Sequence, residues 1–334
     1  MNATPGKRPR MMRLAVGISI TAIFLYATFR TIPLRDVGQA LAGARVEWIA
    51  ATAGCIVLAY LLKILRWTTM LRNLGARVGL RDTAPPFLGG VAFNNVLPLR
   101  AGDLIRVVAF QRYTGVPPSG QLGTLALERL MDLLVLCGIL FATLSFWPAD
   151  ILGETMLAGL RLVALGAVAA VILFIAAPWP IRIAVRMLES RIPRLQPAGD
   201  ALLRLSDAVA ALSRPLFLAR ILALSLAAWL AEGAAYYMVG LALGLGGNVQ
   251  IALLALSIGT LATMIPSSPG YVGTFHFFVA RVVAAFSGGG ALAAAYAVLI
   301  HAMLWVMTTT TGFIAITRSK RHRDVPPTIQ GFQS

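Results

Sequence analysis

Charge is what this 334-residue chain has least of. Asp, Glu, Lys and Arg make up 13% of it, against about 25% in an ordinary soluble domain. Acidic residues are the scarcer sign, 13 against 29 basic ones, and there are only three histidines and two cysteines. Cys55 and Cys137 both fall inside long apolar stretches. That predicts burial as small apolar side chains and gives no support to a disulfide framework. The sequence has no His-Glu-x-x-His zinc motif, no Gly-x-Ser-x-Gly elbow, no P-loop and no dinucleotide fingerprint. No metal and no cofactor is expected. Without a soluble segment of any size, ATP hydrolysis or aminoacyl transfer within this chain is not expected either.

Apolar residues are abundant, at 58%, with a mean hydropathy of +0.79. Long apolar stretches cover residues 14–29, 48–62, 122–147, 156–177, 221–245, 251–265 and 291–316. A bilayer core needs about 20 helical residues, so most of these can span it. The second runs on to residue 71, with Lys63 and Arg66 expected to snorkel to the interface. The formal charge of +16 would suit nucleic acid, but its distribution excludes that partner. Basic residues cluster at 7–13, 63–81, 182–220 and 318–323, whereas the loops at 30–47, 148–154 and 244–250 are mixed, acidic or uncharged. This alternation follows the positive-inside rule and predicts both termini in the cytoplasm. The basic loops are also expected to touch anionic lipid, at about 1 kcal/mol per residue. The basic start followed by 14–29 has the look of a signal peptide. It lacks a small-x-small site leading into a soluble region, so an uncleaved first span is expected.

One motif occurs twice, 171 residues apart: Pro98-Leu-Arg-Ala-Gly102-Asp103 and Pro269-Gly-Tyr-Val-Gly273-Thr274. Pro and Gly at this spacing break helices. With the charge code, the chain reads as about six spanning helices plus two re-entrant broken helices. Residues 13–29 go out and 48–71 return; 87–99, opened by Pro85-Pro86, re-enter from the cytoplasm. Residues 123–147 go out and 156–177 return, and 178–220 lie on the cytoplasmic surface as amphipathic helix. Residues 221–245 go out, 251–265 re-enter from outside as far as Pro266, 274–286 climb back, and 291–316 end at a basic tail. The expected fold is therefore an all-α polytopic membrane protein with an inverted repeat, 48–147 against 221–316, in one integral membrane domain over 1–334. The shared site of such a repeat lies near the bilayer midplane. Pro98, Gly102, Pro266, Pro269, Gly270 and Gly273 are its expected hinges. Gly240-x-x-x-Gly244 is a weak signal for close helix packing.

The unusual polar residues gather around the first break: Asn94, Asn95, Arg100, Asp103 and Arg106, then Glu128, Arg129 and Asp132 in the following span. Arginine holds phosphate bidentately, and Asp103 suits either a helix cap or a functional carboxylate. Glu128 and Asp132 share a helix face and repel unless a cation, Arg129 or Arg106, sits between them. Each such charge costs about 2.5–3.5 kcal/mol to insert. Two readings stand: an ionic staple between the span and the first re-entrant helix, or the wall of a cavity for a charged headgroup. The second repeat offers Tyr271, Thr274, His276 and His301 as a less charged counterpart, in which the histidines are either hydrogen-bonded core residues or a proton relay.

Residues 94–106 (Asn-Asn-Val-Leu-Pro-Leu-Arg-Ala-Gly-Asp-Leu-Ile-Arg), 128–134 (Glu-Arg-Leu-Met-Asp-Leu-Leu) and 266–275 (Pro-Ser-Ser-Pro-Gly-Tyr-Val-Gly-Thr-Phe) together resemble the flippase-like family. This is the transmembrane region of lysylphosphatidylglycerol synthases and its stand-alone relatives, and the resemblance covers nearly the whole chain. It implies a prokaryotic cytoplasmic-membrane protein that moves an amphipathic, phosphate-bearing or anionic lipid between leaflets. Membrane lipids are then its partners, with a lipid-modifying or glycosyltransferase protein as a further one. In the synthases an aminoacyl-transferase domain follows this region; here the sequence ends at Ser334, so lysylation is not expected. The family often carries Arg where this chain has His301, which weakens the expectation for that position. The alternatives are a membrane enzyme acting on lipid headgroups, with Glu128 or Asp132 as acid or base, and a non-catalytic partner in a lipid-modifying complex.

Overall fold

The computed structural model describes residues 19–320 apart from 20, 31, 110, 147–152, 190–195, 265–268 and 288. Pro266, residues 321–334 of the basic tail, and residues 13–18 and 20 of the first expected span lie outside the described residues. All regular structure among those described is helical: α1 (Leu34–Ala42), α2 (Val46–Asn73), α3 (Leu80–Val96), α4 (Ala101–Ala109), α5 (Gln111–Thr114), α6 (Pro118–Leu144), α7 (Gly153–Ala176), α8 (Pro178–Glu189), α9 (Gln196–Leu212), α10 (Pro215–Ala242), α11 (Val249–Ala262), α12 (Thr274–Ser287) and α13 (Gly290–Lys320). Residues 21–29 are helical as well and lay Phe24 against Phe277 and Phe278 of α12.

Four segments are long and apolar enough to cross a membrane: Val46–Asn73, Pro215–Ala242, Pro269–Ser287 and Gly290–Ser319. A fifth is the pair Arg161–Ala176 and Pro178–Leu188, bent by 51°. Together with large apolar side chains left bare along α7 and α10, such as Leu165, Leu173 and Leu216, they mark a multi-pass membrane protein. Helix α6 has the length to span, but Glu128, Arg129 and Asp132 sit in its middle. They are supported by protein partners and not by lipid.

Helices α2 and α10, each 28 residues long, form the central pair, and they run antiparallel. Arg45, before α2, donates from its backbone to Ala242 and from its side chain to Leu241 at the end of α10. Arg66 reaches Ser225 in α10, and Asn73 reaches Ala211 at the end of α9, just ahead of α10. Two further contacts cross between the two halves. Helix α3 packs on α13, while α11 packs on α6. Phe93 meets Phe313 edge-on at the first contact, and Leu140, Leu254 and Ile258 cluster at the second. A larger core of Ile56, Tyr236, Leu256, Val279 and Tyr296 joins α2, α10, α11, α12 and α13.

Several boundaries differ from expectation, among them the start of α6 at Pro118 where 123 was expected. Helix α3 starts at Leu80, ahead of Pro85-Pro86, because the Asp82 carboxylate accepts from the Gly79 backbone N–H at 2.9 Å and stabilises that first turn. Helix α10 starts at Pro215 and not at 221; proline at the first helical position has no N–H to leave unpaired. The surface segment between α7 and α10 forms two helices, α8 and α9, tied by Arg182 to Asp207 at 2.7 Å. Gly240 and Gly244 do not form a packing stripe: α10 ends at Ala242, and Gly244 lies in the following turn with φ 74.

Candidate functional site

Each copy of the Pro-x-x-x-Gly motif is a 3-10 turn followed by a helix, Pro98–Arg100 before α4 and Pro269–Tyr271 before α12. The turns face each other. The Arg100 guanidinium stands 5.5 Å from the centre of the Tyr271 ring and donates to the Thr263 hydroxyl at 2.9 Å. Gly270 packs against the Asn95 carbonyl and Trp305. Gly270 and Gly273 have φ of 73 and 93, values that glycine adopts without steric cost. Gly102 is required for a different reason: a Cβ there would run into the Gly90 carbonyl and Asn94, so α3 and α4 touch backbone to backbone.

Between the turns lies a cavity of about 190 Å³. One wall is ionic. Arg66, 1% exposed, donates to Asp132 at 2.6 Å and to Ser225 at 2.7 Å, and lies 3.8 Å from Glu128. Arg106 meets Glu128 at 3.1 Å and stacks on Trp67 and Phe87 at 4.9 and 5.0 Å. Arg129 bridges Asp103 at 2.6 Å and Asp132 at 3.8 Å. Lys63 meets Glu232 at 2.5 Å over the faces of Trp229 and Tyr60, and Trp229 gives its indole N–H to Asp132 at 2.9 Å. The opposite wall is hydroxyl and aromatic, with Thr260, Thr263, Tyr271, Trp305 and Thr308.

The eight residues expected around the first break all line this cavity, though several are occupied structurally. Asn94 accepts from the Asp103 backbone N–H at 3.2 Å and donates to its carboxylate at 2.9 Å. The capping side chain of α4 is therefore Asn94, from α3, and Asp103 turns to Arg129. Asn95 donates to Thr308 and Thr309, both at 2.9 Å, and clamps α3 to α13. Of the second-repeat residues, Tyr271 and His301 line the cavity, while Thr274 and His276 are buried behind them. His301 Nδ1 and His276 Nε2 are 3.3 Å apart, and His276 Nδ1 accepts from the Gly273 backbone N–H.

Three charged residues of the wall were missing from the sequence-based site. Lys63 and Arg66 do not snorkel: they are 8% and 1% exposed, because α6 and α10 bring carboxylates to them. Glu232 is their counterpart in α10. A signal for it exists. Tyr60 and Lys63 in α2, and Trp229 and Glu232 in α10, stand 169 residues apart pair by pair, each as an aromatic followed three residues later by a charge.

Comparison with known proteins gives two findings. The family described as lysylphosphatidylglycerol synthase TM region matches residues 14–312. A protein named glycosyltransferase AglD, from Haloferax volcanii, is 27% identical over 91% of this chain and 54% of its own length. The chain thus spans about half the length of the curated relative it matches.

Proposed function

Because the chain belongs to the family of the lysylphosphatidylglycerol synthase transmembrane region, we propose that it moves an amphipathic lipid between the leaflets of the cytoplasmic membrane. The headgroup crosses through the charged cavity while the tails stay in the bilayer. The observation that carries this reading is the meeting of both helix breaks in one cavity lined by charged groups. Inserting ionised side chains among apolar helices is costly, and a polar passenger gives a reason to keep so many. In this reading the molecule is an inverted repeat, with six spans that include 13–29 and α6, re-entrant helices α3 and α11, and both termini in the cytoplasm. Support comes from the antiparallel α2 and α10 and from the reciprocal packing of α3 on α13 and α11 on α6. The residues in contact with the headgroup are Arg100, Arg129 and Tyr271, with Glu128 and Asp132 balancing the cations.

The engaged state of the carboxylates favours transport over chemistry on the headgroup. Asp103, Glu128, Asp132 and Glu232 each have a protein cation within 3.1 Å, so each is already engaged by a partner in the wall and not free to act on a headgroup. The relative's name supports a second reading, in which the chain serves a lipid-linked glycosyltransferase as its membrane partner; stoichiometric co-purification with such an enzyme is its test. Translocation is tested in proteoliposomes with fluorescent phosphatidylglycerol and a membrane-impermeant quencher. Thr260→Trp fills the cavity without changing its charge and is expected to cut flux roughly tenfold, since a passage of this size has no room for an added indole. Full flux through a folded Thr260→Trp variant would remove the cavity from the route.

A further inference from the structure

The charges lining the cavity do not cancel. Lys63, Arg66, Arg100, Arg106 and Arg129 face Asp103, Glu128, Asp132 and Glu232, which leaves one cation in excess. At the shortest contacts four cations are matched one to one: Lys63 with Glu232, Arg66 with Asp132, Arg106 with Glu128, and Arg129 with Asp103. Arg100 is the fifth. Among the described residues it forms no ion pair; its guanidinium has the Thr263 hydroxyl and the face of Tyr271. A guanidinium carries five N–H donors in a planar fork that fits phosphate oxygens, and the Thr263 bond uses one of them.

The backbone singles out the same place. Arg100 (φ 52) and Tyr271 (φ 59) are the two non-glycine residues with positive φ among those described. Both are the third residue of their motif copy, 171 apart. The left-handed conformation is disfavoured for a residue with a side chain, and it persists where surrounding structure imposes it, often at ligand clamps. Here it accompanies two side chains that line the cavity and lie against each other.

We propose that the cavity selects a lipid whose headgroup carries a single negative charge, a phosphodiester, and that Arg100 is the residue that selects it. The proposal rests on the headgroup-cavity reading above and narrows it. One negative charge brings the site to neutrality. A phosphodiester supplies one, whereas a phosphomonoester carries about 1.5–2 at neutral pH and a zwitterionic headgroup supplies no net charge. Arg66 and Arg106 are already matched and act as walls; Arg129 touches the headgroup, but its charge is taken up by Asp103.

Native mass spectrometry of the full chain in detergent, with phosphatidylglycerol, phosphatidylcholine and phosphatidic acid, tests the proposal. Phosphatidylglycerol is expected to bind roughly tenfold more tightly than phosphatidylcholine, as a charge-assisted contact allows, and at least as tightly as phosphatidic acid. Arg100→Gln leaves four cations facing four carboxylates and should erase that preference; Arg100→Lys should keep it. Equal binding of the first two lipids, tighter binding of phosphatidic acid, or an unchanged preference in a folded Arg100→Gln protein would overturn it. The wild-type ranking decides even if the variants do not fold. Soluble glycerophosphoglycerol binding as tightly as the lipid would also overturn it, placing the ligand in water. Selective binding without movement in proteoliposomes would refute translocation and leave this site standing. Equal binding and equal movement of anionic and zwitterionic lipid would do the reverse.

Discussion

At the scale of single residues, Lys63 and Glu232 are the most informative pair. Each lies in a helix that is otherwise suited to lipid, and they meet at 2.5 Å with side chains 10% and 7% exposed. Glu232→Gln leaves Lys63 buried without its carboxylate, which should cost about 3–5 kcal/mol. Lys63→Met combined with Glu232→Met should recover most of the loss, because an apolar pair of similar volume needs no compensating charge. Thermal unfolding in detergent measures both; a double variant as unstable as the single would show that Lys63 is supported by something other than Glu232. In sequence, Lys63 looks like a snorkelling residue near a helix end. Its long apolar stem permits that, and the carboxylate that instead draws it inward is 169 positions away.

Helix α3 joins its neighbours through small residues and amides: Gly90 and Asn94 against Gly102, and Asn95 against Thr308 and Thr309. The α3–α4 hairpin closes at Gly102, where Gly90 and Asn94 leave no space for a methyl group. Gly138, in the interior of α6, has nothing within 4 Å of its would-be Cβ. The same substitution should therefore act with opposite sign. Gly138→Ala should stabilise by about 0.5–1 kcal/mol through helix propensity, and Gly102→Ala should destabilise by about 1–3 kcal/mol through overpacking. Unfolding midpoints of the two variants side by side check this; a Gly102→Ala protein as stable as wild type would mean the hairpin can open. The breaks that create these elements were legible from Pro98 and Pro269 alone. The start of α3 was not, since two prolines suggested a boundary that the Gly79–Asp82 contact moves upstream.

For the whole molecule, the proposed inverted repeat makes a statement about sides. Leu80 at the start of α3 and Val249 at the start of α11 are both exposed, at 44% and 57%. In an inverted repeat they face opposite compartments. Leu80→Cys should react with a membrane-impermeant maleimide only from the cytoplasmic side, and Val249→Cys only from the other, in a background with Cys55 and Cys137 replaced by Ala. Labelling of both from one side would rule out the inversion. The helix register agrees with the proposal: the residues flanking the starts of α2 and α10, Arg45 and Arg214, and those flanking α3 and α11, Gly79 and Asn248, are in each case 169 apart.

The order of residues along the chain already settles the solvent of this protein, its helical class, its two breaks and the charged patch beside the first. Those properties are local: apolar run length, Pro and Gly spacing, and a cluster from Asn94 to Arg106 can be read within a window of a few turns. Which charges neutralise one another is settled by the packing of the helices. It gave Arg66 to Asp132, Lys63 to Glu232 and Asn94 to α4 as its cap, and left Arg100 facing Tyr271 across the two breaks. Pairing of charges depends on distances of a few ångströms between residues far apart in the chain. Those distances follow from antiparallel packing of α2 against α10, which local periodicity does not specify.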